Sequence, residues 1–139
     1  MTTFFVPGLP VAQPRIRATR QGRIYTPKTA SDWKACVVLA ARRAISAPFS
    51  GPIALTLSFK LPRPRSHYGT GKNSETVKDS APDWVASRPD IDNMAKAAMD
   101  ALSNAGAWTD DALVVQLQTQ KRYCDADEAG AWIEIIDAI

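Results

Sequence analysis

One segment of the 139-residue chain places two pairs of aspartates at the two ends of a single amphipathic stretch. Asp90 and Asp92 stand at its start, and Asp110 and Asp111 follow its end. Between the pairs, apolar residues recur at three- and four-residue steps, which predicts a helix with one buried face. Asp is a favourable N-cap, and Gly106 stands where a helix commonly stops. The sequence therefore predicts a helix with all four carboxylates near its ends.

The other patterns predict a second helix and several strands. Residues 53–59 alternate apolar and small polar side chains, which predicts a half-buried strand. Three- and four-residue spacing predicts the second helix from Thr29 to about Ser46. Further strands are predicted at 4–6, in a basic hairpin at 15–25, at 113–122 and at 131–136. This order of elements favours an α+β fold with a small mixed β-sheet and two main helices.

Residues 62–87 break every periodic pattern in the chain. They contain three prolines, two glycines and four basic residues, Arg63, Arg65, Lys72 and Lys78. A stretch of this length without apolar periodicity indicates a long surface loop. The whole chain, 1–139, has the length of one domain. We therefore expect a single domain that carries a long basic loop on its surface.

Charge is distributed unevenly along the chain. Residues 1–88 contain 14 Lys and Arg against 4 Asp and Glu, whereas residues 89–139 contain 3 against 10. A basic portion beside an acidic one suits a protein that binds a polyanion with one surface and cations with another. Pairing of the two portions across the fold explains the charges equally well, so charge alone does not decide between these interpretations.

Two absences bear on the compartment. No apolar run is long enough to cross a bilayer, and residues 1–9 lack the features of a secretion signal. We therefore expect a cytoplasmic protein with no membrane partner. The two cysteines, Cys36 and Cys124, are too few for a zinc site. Cys36 lies in an apolar stretch, which predicts a place in the core.

The aspartate pairs fit a site for a hard divalent cation, which prefers several oxygen ligands. Crowded carboxylates are tolerated where a cation lies between them, and phosphodiester hydrolysis uses such a cation. A structural explanation is also open, because Asp caps helices and is common in turns. Lys96 follows Asp92 by four positions and could simply form a surface ion pair with it. Asp100 is expected to have a structural or salt-bridging role.

A longer motif contains these residues. Positions 90–111 follow the pattern D-I-D-N-M-x-K-A-x-x-D-A-L-x-x-A-G-x-W-x-D-D, and the strand predicted after them carries Lys121. This pattern closely resembles the RusA family of Holliday junction resolvases, which phages and prophages typically carry. Weaker similarity lies in P-G-x-P-x-x-Q-P-R-x-R at 7–17 and in G-R-x-Y-T-P at 22–27. The resemblance is dense over 88–122 and thinner elsewhere.

The resemblance implies a homodimeric, Mg²⁺-dependent endodeoxyribonuclease that resolves four-way DNA junctions by paired symmetric nicks, in recombination and repair. Mn²⁺ is expected to substitute for Mg²⁺. The family's metal-binding carboxylates correspond to Asp90, Asp92 and Asp111, and its essential lysine corresponds to Lys96. Asp110 receives no role from the resemblance.

Basic residues of the N-terminal portion are the candidates for binding DNA phosphates: Arg15, Arg17, Arg23, Lys72 and Arg88. Some family members carry a basic run directly before the first aspartate, whereas here Arg88 stands alone. No nucleotide cofactor is expected, because the glycine-containing stretch at 69–73 fails the P-loop pattern. Two other classes stay open: a catalytically inactive junction- or DNA-binding protein, and a metal-dependent nuclease for flap or nicked duplex DNA.

Overall fold

Six strands and two main helices make up the described part of the chain. The computed structural model describes residues 1–13, 17–18, 24–25 and 31–138. The elements in chain order are β1 (Thr2–Pro7), β2 (Arg17–Ala18), β3 (Ile24–Tyr25), α1 (Ser31–Ala44), β4 (Ile53–Pro62), α2 (Ile91–Asn104), β5 (Val114–Cys124) and β6 (Gly130–Asp137). Each predicted strand and helix has a described part among these residues, and β4 continues three residues beyond its predicted end. The bend of the predicted hairpin, at 19–23, and residues 29–30 of the predicted helix lie outside the described residues.

Four strands form a mixed sheet in the order β1-β6-β4-β5. The pairs β1–β6 and β4–β6 are antiparallel, and β4–β5 is parallel. The short strands β2 and β3 pair antiparallel with each other, Arg17 opposite Tyr25, as the predicted hairpin requires. The predicted α+β architecture, a small mixed sheet with two main helices, is therefore confirmed.

The core lies between one face of the sheet and the two helices. On β4, burial alternates from Ile53 to Leu61, since successive side chains of a strand point to opposite faces. Helix α1 contacts β1, helix α2 contacts β5, and the two helices contact each other. Trp33 of α1 and Phe59 of β4 meet at a ring-centroid distance of 6.2 Å. The helices therefore cover the same face of the sheet and seal its apolar side.

Small residues let α2 pack closely in this core. Its buried face consists of Met94, Ala95, Ala97, Ala98, Ala101 and Leu102. The helix ends at Asn104, and Gly106 then adopts a φ of 76°, a left-handed conformation that favours glycine. The Trp108 indole nitrogen donates to Ser103 Oγ at 2.9 Å and fixes the turn that leads toward β5. The C-terminal end of α2 is thus held in place.

The loop between β4 and α2 lies on the surface but is anchored to the sheet. Arg63 donates to the carbonyl oxygen of Pro82 at 2.7 Å and contacts an Asp83 carboxylate oxygen at 3.3 Å. Its guanidinium also lies over the Tyr123 ring of β5, 5.5 Å from the centroid. Val85 is buried in the core cluster. The predicted long surface loop is therefore held at both of its ends.

One core prediction is wrong. Cys36 is exposed, because the buried stripe of α1 runs through Trp33, Val37 and Ala41, and each helical residue turns the side chain by about 100°. Cys124 is buried, and this burial raises the pKa of its thiol. Among the described residues, no helix has the length and apolar character needed to cross a membrane.

Candidate active site

The first aspartate pair lies at the N-terminus of α2. Asp90 occupies the N-cap position with an extended backbone, yet its side chain makes no capping hydrogen bond. Asp92 lies in the first turn, where its Oδ1 accepts a hydrogen bond from the Asn93 backbone N–H at 2.9 Å. Both residues are exposed. Because Asp90 does not cap the helix, capping does not account for its carboxylate.

The two aspartates of the second pair, Asp110 and Asp111, have different roles. Asp110 Oδ1 accepts a hydrogen bond from the Ala112 backbone N–H at 2.8 Å and caps the short 3-10 helix at Asp111–Leu113. Asp111 itself is exposed and makes no such contact within the described residues. The turn therefore uses Asp110 for structure and leaves the carboxylate of Asp111 available to a ligand.

A cavity of about 370 Å³ lies between α2 and β5 and brings parts of both pairs together. Asp92, Lys96 and Asp111 line it. Its apolar wall consists of Ile91, Ala95, Met99 and Leu117. Asp90 does not line the cavity, although it directly precedes the helix that does. Residues nineteen positions apart in sequence, Asp92 and Asp111, therefore face one space.

The donor chemistry of this place suits a hard cation, but the carboxylates are not gathered into a closed cluster. In the described part of the chain, no three Asp, Glu, His or Cys side chains are placed so that they could hold a metal ion. The three exposed carboxylates offer oxygen ligands of the type that Mg²⁺ prefers. None of them forms an ion pair with another described residue. A three-carboxylate metal site at Asp90, Asp92 and Asp111 stays a prediction.

Lys96 is not engaged in the ion pair that its spacing allows. The only ion pairs among the described residues are Lys34–Asp100, at 3.8 Å, and Arg63–Asp83. Asp100 thus has the salt-bridging role predicted for it, whereas Lys96 is exposed and faces the cavity beside Asp92. Its ammonium group is free to meet an anionic ligand there.

A further lysine, whose function the sequence alone did not indicate, positions the first aspartate. Lys121 of β5 donates from Nζ to the carbonyl oxygen of Ser87 at 2.6 Å and to that of Pro89 at 2.7 Å. These two carbonyls belong to the backbone directly before Asp90. The motif contained Lys121, but its partners lie more than thirty positions away, so only the fold shows that it fixes the approach to the site.

The predicted DNA-binding residues are only partly described. Arg15 and Arg23 lie outside the described residues, and for Arg17 the structure describes the strand but not the side chain. Lys72 is exposed on a short 3-10 helix within the loop, and it does not line the cavity. Arg88 is exposed and lies two positions before Asp90. All five stay predictions as phosphate ligands.

The N-terminal segment contacts the first turn of α2. The backbone N–H of Gln13 donates to the carbonyl oxygen of Asn93 at 2.9 Å, within the first turn of α2. This bond places the end of the first described segment next to Asp92.

The fold is a mixed sheet with two helices on one face. Exposed aspartates lie at one end of α2, with a lysine beside them. These features define a class of small α+β protein with an acidic surface site. Comparison with known proteins gives the family. A family model described as "Endodeoxyribonuclease RusA" matches residues 7–136, and the chain belongs to that family. Membership implies endonuclease activity.

The chain is also similar to two named relatives. The chain is 30% identical over 142 residues to the uncharacterized protein YqaN of Bacillus subtilis (strain 168), covering 97% of this chain and 96% of that protein. It is 56% identical over 34 residues to the crossover junction endodeoxyribonuclease RusA of Escherichia coli O139:H28 (strain E24377A / ETEC), covering 24% of this chain and 28% of that protein. The second similarity is high but short.

Proposed function

We propose that this chain is a Mg²⁺-dependent endodeoxyribonuclease that resolves four-way DNA junctions by paired symmetric nicks. One observation carries the proposal. Asp92, Lys96 and Asp111 line the same cavity, and none of them is neutralised by an ion pair with another described residue. Unpaired charges of both signs around one cavity suit a ligand that is itself anionic and arrives with a cation.

The proposed chemistry assigns a task to each side chain. Asp92 and Asp111, with Asp90 at the head of α2, would hold Mg²⁺ or, as a substitute, Mn²⁺. A bound cation would lower the pKa of the attacking water and offset negative charge on the leaving oxygen. Lys96 would orient the scissile phosphate by binding a non-bridging oxygen, since a preorganised cation stabilises the charge that develops there. Asp110 keeps the turn in the conformation that presents Asp111.

The proposal includes a homodimer. A four-way junction has approximate twofold symmetry, and matched nicks in opposing strands need two equivalent sites related by the same symmetry. The exposed side chains of Val115 and Leu117 on β5, an edge strand of the sheet, support a partner on this side of the molecule. Leu117 also lines the cavity, so a partner there would lie close to the site.

A labelled four-way junction and a linear duplex of matched sequence test this function directly. Each is incubated with the protein in Mg²⁺ or in EDTA. We expect symmetric nicks in the junction, in Mg²⁺ only. Binding without cleavage would show a DNA-binding protein, and equal cutting of the duplex would show a nuclease of broader specificity. Either result contradicts the proposal.

Variants that each remove one charge identify the residues that cleavage needs. Asp92→Asn is expected to abolish nicking while junction binding in EDTA is kept or strengthened. The substitution removes one negative charge from a surface that contacts DNA, which lowers its repulsion of the phosphates. Asp32→Asn is the matched control, since Asp32 is also an exposed carboxylate in the first turn of a helix. Equal activity of the two variants would remove Asp92 from the site.

A further inference from the structure

Trp84 in the surface loop exposes a large aromatic side chain beside an arginine. The residue is 54% exposed, and the Arg122 guanidinium carbon lies 4.4 Å from its ring centroid. Trp33 and Trp108 are buried, and Trp132 packs its ring against Phe5. Trp84 therefore makes its described ring contact with a cation rather than with the apolar core.

The backbone around Trp84 is held firmly against the sheet. Trp84 and Arg122 form an antiparallel bridge at the edge of β5. On one side of the bridge the Tyr123 N–H donates to the Asp83 carbonyl oxygen at 2.9 Å. On the other side Val85 inserts its side chain into the core. The indole is thus presented on a fixed strand-like segment, although it belongs to a loop.

The same segment leads directly to the candidate site. Only six positions separate Trp84 from Asp90, so even a fully extended chain would span about 20 Å between them. Lys121 holds two carbonyls of this connection through its hydrogen bonds to Ser87 and Pro89. At about 3.4 Å per nucleotide of a DNA strand, this backbone span corresponds to at most about six nucleotides.

An exposed indole with an adjacent guanidinium is a chemical match for a nucleotide. Aromatic side chains stack on unpaired bases without regard to sequence, because every base has a π-face. Arginine binds phosphate oxygens in a bidentate manner and stacks on aromatic rings. We infer that Trp84 and Arg122 bind an unpaired or unstacked DNA base and its phosphate next to the nicked strand. The inference rests on the proposed function, since a junction exposes such bases where its arms separate.

Tryptophan fluorescence tests the inference without any cutting. The protein in EDTA is titrated with single-stranded oligothymidine. Quenching is expected in the wild type and in Trp132→Phe, and it is expected to disappear in Trp84→Phe. Trp132→Phe is the matched control because Trp132 is the other substantially exposed tryptophan, at 44%, and lies on β6 across the sheet. Quenching that persists in Trp84→Phe overturns the inference.

Affinity provides the second measurement. Trp84→Ala should weaken binding of oligothymidine about 5- to 140-fold, the range expected for one stacked base, and Trp84→Phe should recover most of that loss. Blunt linear duplex, which offers no unpaired base, should bind both variants like the wild type. An unchanged affinity of Trp84→Ala for oligothymidine, or an equal loss for duplex, overturns the base-binding role. Junction cutting by the wild type in Mg²⁺ tests the proposed function separately, so the two failures are distinguishable.

Discussion

Replacing Lys121 by methionine removes an ammonium group that makes two hydrogen bonds to the backbone. The ammonium group donates to the carbonyls of Ser87 and Pro89 at 2.6 and 2.7 Å, and methionine keeps most of the apolar stem without the donor. Hydrogen bonds from a charged donor contribute about 1.5–3 kcal/mol each, with partly exposed ones at the low end. Because Lys121 is only partly buried, we take the low end for both bonds and expect the free energy of unfolding to fall by about 3 kcal/mol.

The catalytic effect of Lys121→Met should exceed what the loss of stability explains. The two bonds fix the backbone that presents Asp90, and a displacement of about 1 Å in a reacting group can lower a rate about 100-fold. Single-turnover nicking of a four-way junction, measured across a Mg²⁺ titration at a temperature where the variant is folded, should show a raised Mg²⁺ requirement. Junction affinity in EDTA should stay within about twofold of the wild type.

The matched variants sharpen this prediction. Lys78→Met removes an exposed lysine of the loop between β4 and α2, to which Lys121 donates, and the Lys78 side chain makes no hydrogen bond with the described residues. This variant should leave the Mg²⁺ requirement unchanged. Lys121→Arg keeps a cationic donor and should restore part of the activity. An unaltered Mg²⁺ titration in Lys121→Met, with only the melting temperature lowered, would refute the positioning role and leave Lys121 a structural residue.

Three further predictions concern other parts of the molecule. Lys96→Ala should lower the single-turnover nicking rate at least about 100-fold while calorimetry shows unchanged Mn²⁺ binding; an unchanged rate would contradict its role beside the phosphate. Gly130→Ala should destabilise the fold by about 1–3 kcal/mol in urea unfolding, because the new Cβ would overlap the Val6 carbonyl oxygen and the Phe5 ring. Gly51→Ala, which meets nothing within 4 Å, should change stability by no more than about 0.5 kcal/mol. Lys72→Ala should reduce the salt dependence of junction binding by about one unit of slope, and an unaltered slope would remove Lys72 from the phosphate contacts.

Periodicity alone predicted the elements that build the fold. The alternation at 53–59 gave β4, and the apolar spacing after Asp92 gave α2 with Gly106 just past its end, because these patterns follow directly from which face is buried. These features depend on neighbours in sequence or on simple burial, so sequence contains enough information to predict them.

Features that depend on distant pairing could not be predicted in this way. Nothing local specifies that β5 lies parallel to β4 at the edge of the sheet, or that Arg63 and Val85 anchor the long loop. The role of Lys121 depends on backbone carbonyls from another element. The core position expected for Cys36 was wrong because its apolar neighbours do not show which side of α1 faces the sheet.

The capping role of Asp110 also could not be predicted without the fold. The family resemblance selected Asp111 as a candidate ligand, and only the hydrogen bond from the Ala112 N–H identifies Asp110 as the capping residue. The cavity then shows that Asp111 faces Asp92 and Lys96. The backbone conformation of this turn therefore decides that Asp110 caps the 3-10 helix and that Asp111 lines the cavity.

Crystals of the protein soaked in Mn²⁺ provide the most direct test of the carboxylate site, because the anomalous scattering of manganese locates the ion itself. We expect a peak within bonding distance of carboxylate oxygens of Asp92 and Asp111, with Asp90 contributing a ligand from the same chain or from a dimer partner. A saturating soak that leaves these oxygens without an ion, or that places manganese only at other residues, would contradict the proposed site.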